Sequence, residues 1–180
     1  MHIIFANPTT GVLVPIPQYP LCTAALAPTP VPYYLNESTA WSTDAKHIRV
    51  EISKAKAVGT DLKRLVVIKP GNPTGATLTE AGIELISPAT EERLVIMADE
   101  VYQTNVYSGE FHSFKKVFCN MQKASPGVYG DVELVSLHSV SRGMVGECGH
   151  RGSYFELGAS TRMSKRRTTS SPQSAYAPPS

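Results

Sequence analysis

Two hydroxyls, two guanidiniums and four glycines fall within the fifteen residues from His138 to Gly152. A segment this rich in glycine has no regular element of its own. It lets backbone and small side chains close on an anion, with Arg151 available for two-pronged contact to a phosphate. Alone, it reads as a solvated turn. Three further motifs change that reading: Pro17-Gln18-Tyr19-Pro20, Pro70-Gly71-Asn72-Pro73-Thr74-Gly75 and Asp99-Glu100-Val101-Tyr102. Their residue types suit a flat, charged heteroaromatic ligand. A carboxylate such as Asp99 keeps a pyridine-type nitrogen protonated, as an electron-sink ring requires. Asn72 and Tyr102 supply an amide and a phenol for a phenolate oxygen. Tyr19 can stack on a ring face, and Ser139 with Arg151 can hold a phosphate.

Such groups act together only if the chain positions them together. Short apolar runs predict strands at 11–16, 31–35, 62–68, 94–98 and 132–137, with a further short one at 153–157. Asp44 opens a predicted helix to about Val58, closed by Gly59. Pro20–Ala27 reads as one short helix. Another starts at Thr79-Glu80 and carries Ile83, Leu85 and Ile86, and 111–121 is loosely helical. Strands with apolar interiors that alternate with helices predict an α/β layer on a mostly parallel sheet. Each of the four motifs follows a strand. In a parallel sheet they converge at its carboxyl edge, where α/β proteins bind ligands.

Of the 180 residues, 42% are apolar, enough for one core. The formal net charge is +2, yet the last twenty residues hold four basic side chains and no acid, so the remainder is mildly acidic. That balance argues against a nucleic-acid partner, and no apolar run is long enough to span a bilayer. Cys22, Cys119 and Cys148 form no Cys-x-x-Cys pair. They read as reduced thiols of an intracellular protein, with no zinc site. No secretory signal is evident at the N-terminus. The Ser-, Pro- and basic-rich stretch 159–180 is expected to be disordered.

The chain resembles the alanine aminotransferases, enzymes of aminotransferase fold-type I that use pyridoxal 5'-phosphate (PLP). The resemblance is carried by Pro15-Ile16-Pro17-Gln18-Tyr19-Pro20-Leu21, Asn72-Pro73-Thr74-Gly75, Ala98-Asp99-Glu100-Val101-Tyr102-Gln103, Phe111-His112-Ser113-Phe114-Lys115-Lys116-Val117 and Gly146-Glu147-Cys148-Gly149. It implies an incomplete PLP-binding large domain over 11–158, with 1–10 non-matching. It assigns Asn72, Asp99, Tyr102, Ser139 and Arg151 to cofactor contacts and Tyr19 to stacking on the ring. It further implies amino-acid and 2-oxo-acid substrates, namely L-alanine with 2-oxoglutarate to pyruvate with L-glutamate. A homodimer is implied as well. Separately from the resemblance, the chain is expected to be intracellular, in the cytoplasm rather than the mitochondrion.

Three departures from the family pattern bear on activity. Arg142 stands where the family has the lysine that links covalently to the cofactor and then moves a proton. A guanidinium stays protonated and does neither. The glycine-rich phosphate loop expected ahead of Gly11 is not recognisable. The arginine that holds the substrate carboxylate in the family is expected beyond Leu157, where the tail no longer resembles it. The chain is therefore expected to be impaired or inactive as a transaminase. The open readings are an enzyme by family, a pseudoenzyme that binds PLP or a partner subunit, and a truncated product.

Overall fold

A computed structural model describes residues 10–20, 29–79, 83, 85–125, 127–130, 132–144, 146–150 and 152–158. Six strands form one sheet: β1 (Thr10–Ile16), β2 (Thr29–Tyr34), β3 (Asp61–Ile68), β4 (Val95–Asp99), β5 (Glu133–Ser139) and β6 (Ser153–Gly158). Their order is β2-β1-β3-β4-β5-β6. All neighbours are parallel except β5 and β6, which run antiparallel. The α/β reading with a mostly parallel sheet is borne out. The antiparallel sense of β6 was not in the sequence reading. Its residues 153–156 are exposed, unlike the buried runs of β1, β3 and β4.

Among the described residues three α-helices lie between the strands: α1 (Ala45–Ala57), α2 (Ile86–Glu91) and α3 (Phe114–Ala124). The connections β2→β3, β3→β4 and β4→β5 all advance in one direction across the sheet. Right-handed crossovers then place their helices on one face. The larger core cluster agrees. It joins Ile48 and Ile52 of α1, Ile86 and Ala89 of α2, and Phe114 and Val117 of α3 to Leu65, Val67, Ile96 and Ala98 of the sheet. The opposite face carries Val12, Val14, Val66 and Met97, all buried, and no described helix contributes to that cluster.

Local sequence explains the helix ends. The Asp44 carboxylate accepts the His47 N–H at 2.7 Å, satisfying one of the donors that the first turn of α1 leaves open. Gly59, at φ 80°, takes the left-handed position that ends it. Asp44→Ala is expected to cost about 1 kcal/mol, read as a lower denaturant midpoint at unchanged m value. Helix α2 begins later than the Thr79-Glu80 signal indicated. Residues 80–82 and 84 lie outside the described residues, as do 21–28, where the Pro20–Ala27 helix was expected, and the stretch 159–180.

Proline sets the limit of one ladder. The β1–β3 pairing is registered only to Leu13, while β1 stays paired with β2 as far as Ile16. Pro15 has no N–H to extend the β3 side. The two strands therefore part at their carboxyl ends. This is also where the chain order reverses, since β1 leads outward to β2 and the chain then returns past β1 to β3. A crevice at such a reversal is the usual ligand position in an open α/β sheet.

Candidate functional site

The register brings the four motifs to one edge. Ile68 pairs with Asp99 and Asp99 with Leu137, so residues 69–75, 99–102 and 138–142 leave the sheet side by side. The first link between them is a contact at 3.5 Å, at the limit of hydrogen bonding, from Asn72 Nδ2 to the Tyr102 hydroxyl. These are the two groups assigned to a ring oxygen, and they come from segments thirty residues apart.

Asp99 ends β4. Strand alternation puts its side chain on the face of Met97, away from the helices. Burial pushes its carboxyl up, while the Val101 N–H at 3.3 Å and the nearby His138 pull it down. His138 was not assigned a role from sequence. Its Nδ1 is buried without a hydrogen-bond partner, and its ring meets Tyr154 at 4.9 Å between centroids. Close to the same edge, Thr43 Oγ1 and Gln18 Oε1 are also buried and unpaired. Thr43 lines a small, mainly apolar cavity with Pro17, Trp41, Ile68, Asn72 and Leu78.

The loop after β5 folds on itself. Val140 N–H donates to Gly152 O at 3.0 Å and Glu147 N–H to Val140 O at 2.9 Å. Ser139 Oγ accepts the Ser141 N–H at 3.1 Å and lies 2.7 Å from Ser141 Oγ. The two hydroxyls assigned to the anion-binding stretch are therefore adjacent. Gly143, at φ 75°, packs this loop onto the 101–104 turn. A Cβ there would come within 3.2 Å of Val101 O and Thr104 Oγ1. That close approach sets residue 142 beside Tyr102.

Arg142 itself is exposed. Its Nη1 donates to Cys148 Sγ at 2.8 Å and to Ser141 O at 3.1 Å. Cys148 and Tyr102 hold its guanidinium above the ordinary arginine range, so it stays a cation. Tyr19 follows β1 and is 48% exposed, and Arg151 lies outside the described residues.

The donor set fits a PLP-like group held without a covalent bond. A buried-edge carboxylate stands on one strand, an amide and a phenol meet at 3.5 Å, and paired hydroxyls follow the next strand. It does not fit the covalent link, because residue 142 offers no free amine.

The family model for aminotransferase class I and II matches residues 1–155. The chain belongs to that family. It is 46% identical over 164 residues to the mitochondrial alanine aminotransferase of Saccharomyces cerevisiae, covering 87% of this chain and 27% of that protein. It is 42% identical over 162 residues to the inactive alanine aminotransferase of the same yeast, covering 87% of this chain and 32% of that one. The alanine aminotransferase from Pyrococcus furiosus superposes with a TM-score of 0.74 at 26% identity, over 93% of this chain and 40% of the other. The chain thus spans about a third or less of the length of the curated relatives it matches. Among the described residues no helix is long and apolar enough to cross a membrane.

Proposed function

We propose that this chain carries the cofactor half of an alanine-aminotransferase-type site and binds PLP there without a covalent bond. Asp99 would hold the ring nitrogen, Asn72 and Tyr102 the ring oxygen, Tyr19 a ring face, and Ser139 with Arg151 the phosphate. The observation that carries this reading is the meeting of Asn72 and Tyr102 beside Asp99, at the edge where β1 and β3 part. When bound, the cofactor supplies an electron sink for a substrate Cα–H bond. The chain's own residues bind and orient it. The family reaction, L-alanine with 2-oxoglutarate to pyruvate with L-glutamate, is then slow or absent, because Arg142 neither attacks an aldehyde nor carries a proton. Assembly as a homodimer and an intracellular location complete the proposal. Among the described cysteines, Cys119 and Cys148 are free thiols, which suits a reducing compartment.

Arg142 also favours a second reading: a pseudoenzyme whose role is to bind PLP or a family partner subunit. The two readings share the binding step and differ in turnover.

Titration of the protein with PLP, followed by absorbance, tests that shared step. Asp99→Ala and Arg151→Ala are each expected to weaken binding about tenfold to a hundredfold, the scale of losing one charge-assisted hydrogen bond. Parent-like binding by both variants would mean that these residues do not hold the cofactor.

A further inference from the structure

Among the described residues, Lys69 is the only buried lysine, 1% exposed, and the site as assigned makes no use of it. It follows β3 directly and continues the side-chain alternation of Val67, on the helix face. Its ammonium donates to the carbonyl of His112 and lies 5.1 Å from the Phe111 ring centre and 5.6 Å from that of Phe114. The charged group acting on it is Glu100, itself only 6% exposed. Glu100 Oε1 accepts the Phe114 N–H at 2.9 Å, at the start of α3, where a carboxylate is favoured. Asp99 acts on Glu100 in turn, and His138 on Asp99.

The backbone closes the knot. Lys69 N–H donates to Asp99 O at 2.8 Å, and Glu100 N–H donates to Leu137 O at 3.2 Å. The Asp99–Glu100 peptide is thus held by β3 on one side and β5 on the other. Successive side chains leave it to opposite faces: Asp99 toward the candidate cofactor site, Glu100 toward Lys69 and α3.

We propose that Lys69 is a positioning residue for the Asp99 carboxylate: its backbone N–H holds Asp99 O, its ammonium is anchored on the His112 carbonyl between two phenyl rings, and Glu100 is anchored on the same segment at Phe114, so that the Asp99–Glu100 corner is fixed from behind. The role of Asp99 toward PLP rests on the function proposed above. The tie from Lys69 to Asp99 does not.

The tie has a pH range. Burial, partly offset by Glu100, lowers the Lys69 ammonium from 10.5 to about 8. At neutral pH it is charged and the corner is held. Above about pH 8 the folded protein loses that proton, while the unfolded chain keeps it to about 10.5. Between those values the unfolded state binds more protons, so rising pH favours the folded state. The ammonium therefore fixes the corner at a cost in stability, and the cost is relieved as the charge is lost.

The test uses cofactor-free protein. The Asp99 carboxyl carbon is followed by NMR from pH 6 to 10.5, and denaturant unfolding is measured across the same range. In the parent, the Asp99 resonance is expected to show an inflection near pH 8. In Lys69→Met and in Lys69→Arg it is expected to be missing, since neither side chain loses a proton in this range. The folded-to-unfolded ratio of the parent should rise, relative to either variant, by up to about 80-fold between pH 8 and 10.5. No inflection in the parent, an inflection kept in either variant, or parallel stability curves overturns the proposal. If Lys69→Met does not fold, Lys69→Arg carries both comparisons. A parent that behaves as expected but takes up no PLP refutes the proposed function and leaves the Lys69 tie standing.

Discussion

Arg142→Lys is expected to convert a chain that forms no reducible adduct with PLP into one carrying roughly one phosphopyridoxyl group, on residue 142. The expectation follows from where that residue sits. Gly143 packs the loop against the 101–104 turn, and Tyr102 is 3.5 Å from Asn72, so a primary amine at 142 would stand beside the groups assigned to the ring. Transamination needs more. The substrate carboxylate must be held so that its Cα–H bond lies across the ring plane, an orientation worth several orders of magnitude in rate. The variant is therefore expected to gain the covalent link while turning over far below the typical ~10 per second. Borohydride reduction, digestion and mass spectrometry locate the adduct, and pyruvate formation from L-alanine and 2-oxoglutarate gives the rate. An adduct on Lys115, Lys116 or Lys123 in parent and variant alike would show that residue 142 is not the cofactor-facing position.

Leu65→Ala is expected to cost about 3–4 kcal/mol, the range for emptying a buried leucine site. Leu65 is fully buried in the central strand β3, within the large cluster that joins α1, α2 and α3 to the sheet. Strands β1 and β4 flank it and leave little room to collapse into the cavity. Domain stabilities are about 5–15 kcal/mol, so this one change removes a large share. Equilibrium denaturation should show a much lower midpoint at unchanged m value. A loss below about 1 kcal/mol would mean that β3 is not packed as described.

Much of the scaffold was legible because it depends on local pattern. Leu65-Val66-Val67-Ile68 and Ile96-Met97-Ala98 are apolar runs of strand length, and both form strands. Asp44 and Gly59 mark the two ends of α1 through a side-chain acceptor and a left-handed backbone. The expected convergence of the motifs at one edge also followed from pattern, since parallel strands put every strand-end loop on the same side.

The rest depended on which segments meet. Periodicity reports the conformation of a segment and not its neighbour. The antiparallel β6 and the reversal between β1 and β3 appear only in the pairing. His138 reads as one polar residue in a polar loop, until the register sets it beside Asp99. Lys69 reads as a surface charge before a turn. It is buried because the His112 carbonyl and two phenyl rings, more than forty residues further along the chain, receive its ammonium, with Glu100 favouring its charge. By itself the sequence determined the strand segments, the helix from Asp44 to Gly59 and the family, because each is a property of local residue identity. Only the tertiary structure decided the strand order, the meeting of Asn72 with Tyr102, and the burial of Lys69 behind Asp99. Those are contacts between distant segments, and their energies exist only once the chain has brought the segments together.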